Sequence, residues 1–258
     1  MGRLNAESGS WILRLTGANP REIPLVCFPH AGGSATFFLP LARALPDSVE
    51  VLGVQYPGRQ ERRAEPLIES IEELAKEISE ALQPWRNRPL VLFGHSMGAT
   101  IAFEVARRLE AEGGVPVSGL IASARRAPSV HRDDDIHCRD DKGLLAEVRA
   151  LNGTHPSLLD DEELVQMLLP AVRGDYKAIE TYRYAPGPAL RCPITALIGD
   201  ADPRVSVDEA RAWGQHTSGE FQICIFPGGH FYFNTQMAEV VNTISAHLNT
   251  FRDAARGV

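Results

Sequence analysis

Gly94-His95-Ser96-Met97-Gly98 sets one hydroxyl between two glycines. A serine in a G-x-S-x-G pentapeptide can attack an acyl carbon when the chain turns sharply from a strand into a helix at that point. The flanks supply that context, because Leu90–Phe93 is an apolar run and a helical pattern starts at Ala99. Such a turn imposes strained backbone angles on the serine. It also brings Gly94 and Gly98 so close to other backbone that a side chain at either would clash. The hydroxyl then stands above a helix N-terminus, whose dipole favours developing negative charge.

Serine is a weak nucleophile at its own pKa and needs a base. Of the eight histidines, His230 follows the last apolar run, Phe221–Phe226, through Pro227-Gly228-Gly229. That is the place of the base in the chain order Ser, Asp, His of hydrolases with this serine turn. His131, His137 and His155 fall in a helical stretch, His247 falls in a C-terminal helical pattern, and His95 points elsewhere on the turn. An orienting acid is expected after Ile194–Ile198, where Gly199-Asp200-Ala201-Asp202-Pro203 offers two. Asp202 is favoured, because Asp200 is nearer the strand end and can bond the turn's own amides. The corresponding loop one strand earlier, Ala124-Arg125-Arg126-Ala127-Pro128, holds no acid.

Acyl transfer also needs donors for the oxyanion. The backbone N–H of Met97 is one, and Ala31, in Pro29-His30-Ala31-Gly32-Gly33 after an early strand, is assigned the other. One such donor removes about 3 kcal/mol of barrier. A phosphate-binding reading of this loop lacks a Gly-Lys-Ser/Thr ending or a G-x-G-x-x-G.

These groups require a scaffold of alternating strands and helices. Leu25–Phe28, Val49–Gln55, Leu90–Phe93, Leu120–Ala122, Ile194–Ile198 and Phe221–Phe226 are mostly continuous apolar runs, as expected for strands covered on both faces. Trp11–Leu15 alternates and reads as an edge strand. Ile71–Leu82, Ala99–Leu109 and Val240–Leu248 carry helical periodicity. The expected fold is a single α/β-hydrolase domain over residues 1–258, a mostly parallel central sheet flanked by helices. Residues 125–186 hold no convincing strand but three helical patterns, Gly143–Leu151, Asp161–Leu169 and Ala171–Tyr182, and read as a helical lid insertion.

Composition excludes several classes. The chain has 258 residues, 44% hydrophobic and 23% charged, which is ordinary for a globular protein. Its net charge of −7 opposes nucleic acid and anionic membranes as partners. The four cysteines form no CxxC pair, and no metal site is expected, since Asp133–Asp135 reads as a solvated loop. No signal peptide is readable, Ala6 spoils a myristoylation pattern after Gly2, and Asn152-Gly153-Thr154 is a chance sequon. The expected place of action is cytoplasmic.

Several segments taken together resemble the type II thioesterases that accompany polyketide synthases and nonribosomal peptide synthetases. They are Phe28-Pro29-His30-Ala31-Gly32-Gly33-Ser34, Tyr56-Pro57-Gly58-Arg59 with Glu61-Arg62, Phe93 through Ala99, Leu169-Pro170-Ala171 with Arg173 and Asp175, Gly199-Asp200 with Asp202-Pro203, and Pro227-Gly228-Gly229-His230-Phe231. The Pro-Gly-Arg and Gly-Gly-His-Phe elements separate this family from general carboxylesterases and lipases, the alternative that the serine motif alone leaves open. His155 departs from the family pattern. The resemblance implies hydrolysis of acyl groups from the phosphopantetheine thiol of acyl or peptidyl carrier proteins, clearing stalled or misprimed assembly lines, by a monomer without a cofactor. It implies that Phe231 and the lid shape the substrate pocket. Because carrier proteins are acidic, Arg59, Arg62, Arg63, Arg125 and Arg126 are the expected docking patch.

Overall fold

The computed structural model describes residues 11–17, 24–85, 87–113, 116–153 and 160–256. The readings on Met1–Ser10, on Thr154 and on His155 lie outside them. Among the described residues the chain forms a 7-stranded sheet. Its strands are β1 (Ile12–Arg14), β2 (Pro24–Phe28), β3 (Glu50–Val54), β4 (Leu90–His95), β5 (Val117–Ser123), β6 (Ile194–Gly199) and β7 (Phe221–Phe226). The spatial order is β1-β3-β2-β4-β5-β6-β7. β1 runs antiparallel to β3, and every other pairing is parallel. This is the α/β-hydrolase fold expected from the alternation of runs and helical patterns.

The continuous apolar runs have a direct cause. Alternate residues of one strand enter two different cores: Val26 and Phe28 of β2 face one, Leu25 and Cys27 the other. The first core takes α2 (Ile71–Ala81) and α3 (Met97–Glu112); the second takes α1 (Leu39–Ala44) and α7 (Met237–Arg256). β5 begins earlier than its apolar run, because Ser118 and Gly119 interrupt the pattern. Gly119 is required there: a Cβ would lie 2.4 Å from the Phe251 ring of α7.

Between β5 and β6 lie α4 (Asp141–Leu151) and α5 (Glu162–Thr181). α5 corrects the sequence reading, which broke the helix at Pro170. The proline removes one N–H but sits on the exposed side, where water can satisfy the freed carbonyl, and the helix continues. Asp140 and Asp161 cap the two helices by accepting from Gly143 N and from Glu163 and Leu164 N. Ile136, Leu144, Val165, Leu169 and Val172 form a small core of their own within this insertion. Two of the carboxylates of 133–135 are engaged by basic side chains. Asp133 takes His131 at 2.8 Å, and Asp134 pairs with Arg126 and Arg204. α6 (Val207–Arg211) follows β6. No described helix is long and apolar enough to cross a membrane.

Candidate active site

Ser96 ends β4 and opens α3 with φ 55° and ψ −120°, the left-handed backbone that the pentapeptide demanded. The flanking glycines are sterically obligatory. A Cβ on Gly94 would lie 2.3 Å from Gly98 O, and one on Gly98 2.0 Å from Phe28 O. The clash expected from sequence is therefore with backbone, which cannot yield.

His230, in the loop after β7, places Nε2 at 2.9 Å from Ser96 Oγ. Its Nδ1 lies 2.9 Å from Asp202 Oδ2 and 3.1 Å from Oδ1. The histidine side chain is 4% exposed and the aspartate side chain 0%, so the relay is dry. Asp202 Oδ1 also accepts from Arg204 N at 2.8 Å, which fixes the carboxylate. Asp200 points away and accepts from Gly228 N at 2.9 Å, holding the histidine loop rather than bonding its own turn. Both acids thus serve the same loop, one through the ring and one through the backbone. Ala31 and Met97 line one depression with Ser96, and among the described residues no turn or loop bond engages either backbone N–H.

The thioesterase domain family model matches residues 23–248. The chain belongs to the thioesterase family. It is 50% identical over 252 residues to Thioesterase PikA5 of Streptomyces venezuelae, covering 97% of this chain and 90% of that protein. The solved type II thioesterase BorB from the borrelidin biosynthetic cluster superposes with a TM-score of 0.88 at 52% identity, covering 95% of this chain and all of that one. YbtT, a type II thioesterase of the yersiniabactin pathway, gives a TM-score of 0.84 at 33% identity over 94% of this chain and 99% of that one.

Two further histidines, His95 and His30, pack by the serine turn without joining the relay, and His216 is buried elsewhere in the core. His95 Nδ1 lies 2.9 Å from Ser123 Oγ, which lies 2.7 Å from the Tyr232 hydroxyl. Burial, reinforced by the His230 and His30 rings, pushes the His95 pKa well down. His30 packs edge-on to Phe37 and Phe231, at centroid distances of 4.4 and 4.8 Å. Burial and the neighbouring His230 bring its pKa down to about 3. His216 bonds Ser129 Oγ and is held neutral by burial down to about pH 4.

The loop that carries Ala31, Pro29–Gly33, is held from two sides and by a bond of its own. The Tyr56 hydroxyl donates to Pro29 O at 3.1 Å, and Gly33 N donates to His30 O at 2.9 Å. Gly32 N donates to Asp175 Oδ2 at 2.7 Å, and Asp175 Oδ1 accepts from Arg59 Nη2 at 2.9 Å. Asp175 lies on α5, so the helical insertion reaches directly into the loop that carries Ala31. Sequence reasoning quoted Asp175 and Arg59 within family motifs but gave Asp175 no role and Arg59 the wrong one.

The docking patch needs correction. Arg59 is buried between Asp175 and the Tyr56 ring. Arg62 is buried against the Trp11 ring at 4.0 Å, donates to Gln55 O, and clasps Glu65 with both Nε and Nη2. Arg126 is buried in an ion pair with Asp134. Long basic side chains in a loop resemble a surface patch in sequence, yet these three neutralise interior carboxylates or cover aromatic rings. Arg63 alone of the five is exposed, and Arg125 is half-buried.

Phe231 lines a cleft over Ser96 and His230 with Val148, Leu151, Leu169 and Val172 of the insertion. A Cβ on Gly153 would lie 2.2 Å from its ring, so the α4 terminus packs directly on it. The cleft is an apolar chamber ending at a nucleophile, which suits an acyl chain.

Proposed function

We propose that this thioesterase cleaves acyl groups from the phosphopantetheine thiol of acyl or peptidyl carrier proteins in the cytoplasm, clearing stalled or misprimed polyketide or nonribosomal peptide intermediates. The observation that carries the reading is the Ser96–His230–Asp202 hydrogen-bonded relay beneath an apolar cleft roofed by α4 and α5. The borrelidin biosynthetic cluster of BorB and the NRPS/PKS pathway of YbtT support the assignment to assembly lines.

In the proposed cycle His230 Nε2 takes the Ser96 proton as Oγ adds to the thioester carbonyl. Asp202 keeps the proton on Nδ1 and stabilises the imidazolium. The N–H groups of Ala31 and Met97 receive the oxyanion. The carbon–sulfur bond breaks and the thiolate takes the proton from His230. Water, deprotonated by His230, then cleaves the acyl-serine and releases the carboxylic acid. Side chains and backbone amides supply every step, so the scheme calls for neither metal nor cofactor. The helical insertion acts as a lid that shapes the acyl chamber and excludes bulk water from the acyl-serine.

The test is hydrolysis of an acyl-loaded carrier protein beside the matched oxygen ester. The thioester should be cleaved with the higher kcat/KM, and Ser96→Ala, folded by circular dichroism, should cleave neither. A preference for the oxygen ester would favour a general esterase instead.

A further inference from the structure

A second depression also reaches Ser96 and His230, and its wall includes Arg125, Arg126 and Ile179. The same three residues border a further cavity of about 240 Å³, whose outer part carries His131 and Arg183. Among the described residues no carboxylate lines that cavity, whereas Asp134 and Glu180 line the depression toward Ser96. The cavity's cations differ in how far they are neutralised. Arg126 pairs with Asp134 at 3.2 Å, and His131 bonds Asp133. Arg183 donates to the backbone oxygens of Glu180 and Tyr182. Arg125 donates from Nε to Thr100 Oγ1 at 3.2 Å, and among the described residues no carboxylate is bonded to it.

An Arg that no carboxylate bonds directly is costly to bury, and an anion seated on it recovers part of that cost. Arg125 is anchored through its backbone, since Trp213 Nε1 donates to its carbonyl at 2.8 Å. Burial and the neighbouring Arg126 bring its pKa down to about 9, against a smaller opposing pull from the Asp134 carboxylate. It follows the carboxyl end of β5, where open α/β sheets bind their ligands.

We propose that Arg125 binds the phosphodiester of the phosphopantetheine arm, with Arg183 at the outer rim, while the acyl group occupies the apolar cleft on Ser96. This rests on the carrier-thioester reading. The arm bears one fixed negative charge, remote from its sulfur, and a guanidinium fork matches phosphate oxygens. His131 and Arg183 are exposed, so the carrier protein attached to the far side of the phosphate can remain outside.

The test compares one acyl group on phosphopantetheine with the same acyl group on pantetheine, which lacks the phosphate. In the wild type, kcat/KM should favour the phosphorylated substrate by about tenfold, the size of one charge-assisted hydrogen bond. In Arg125→Gln that ratio should fall to near one, and Arg125→Lys should hold an intermediate ratio. A wild-type ratio of one overturns the proposal, as does a ratio unchanged in Arg125→Gln. Competition on the wild type needs no variant to fold: free phosphopantetheine should bind about tenfold tighter than pantetheine, and equal affinities overturn the subsite. Hydrolysis of neither substrate would count against the thioesterase assignment itself, and the competition in binding would still decide the phosphate site.

Discussion

The triad is an arrangement in which each member is useless alone. Asp202 sets the imidazole tautomer through two contacts, at 2.9 and 3.1 Å from Nδ1. Asp202→Asn should therefore keep the geometry but favour the wrong tautomer, lowering kcat by about 10³–10⁴ with KM little changed. Steady-state kinetics on an acyl thioester, with a melting curve to show retained fold, reads this directly. An undiminished kcat would remove Asp202 from the relay. The buried histidines make a separate demand on pH. His30 stays neutral down to about pH 3 and His216 down to about pH 4, both through burial, while the unfolded chain protonates near the ordinary value. The unfolded state thus binds more protons below about pH 6.5, so stability is complete above that pH and is lost as pH falls toward the depressed values. The slope is about 1.4 kcal/mol per pH unit for each such group. Urea midpoints should fall steadily between pH 6.5 and 4.5, and a flat profile would show that these rings are not neutral in the folded chain.

At the scale of elements, the contact to test is the one between α5 and the oxyanion loop. Asp175 accepts from Gly32 N and from Arg59 Nη2 while 3% exposed, so its removal frees the loop and strands a buried guanidinium. Asp175→Leu alone should cost about 3–5 kcal/mol, and Arg59→Met with Asp175→Leu together should cost less than that single change. The double variant should still show a lowered kcat, about tenfold or more, because Gly32 N has lost its acceptor and Ala31 is no longer held. Recovery of full kcat in the double variant would show that the pair is merely structural. How legible such contacts were depended on their range. Gly94, Ser96 and Gly98 act within one turn, and the periodicity of Leu25–Phe28 or Ile71–Leu82 reports burial of the residue itself, so the serine turn, strands and helices could be read locally. His230 and Asp202 were readable because this fold fixes their order after known strands. Asp175 reaches Gly32 across 143 positions, and nothing near either residue in the chain marks the bond. Arg62 was misread for the same reason: its aromatic partner is Trp11, far off in the chain just before β1. Pro170 failed differently, because a local rule about proline was overridden by an exposed position and by packing on both sides of it.

The whole molecule sets what the active site accepts, because the acyl chamber lies between the sheet and the insertion and belongs to neither. Its floor is Ser96 and His230, and its roof is Val148, Leu151, Leu169 and Val172. The cleft leaves about 60 Å³ for water-sized groups. An acyl chain too long for that space must displace α4 or α5. Displacing α5 pulls on Asp175 and hence on the oxyanion loop, so a long chain should lose kcat as well as binding. A series of straight-chain acyl thioesters should show kcat/KM falling once the chain outgrows the cleft, each further methylene costing about 1–3 kcal/mol where it cannot be housed. Leu169→Ala enlarges the chamber from the insertion's own core, at a stability cost of about 2–4 kcal/mol. In that variant the fall should begin at longer chains, with the shortest substrates cleaved no better than before. A profile unmoved by Leu169→Ala would mean that the acyl group does not run along the face of α5.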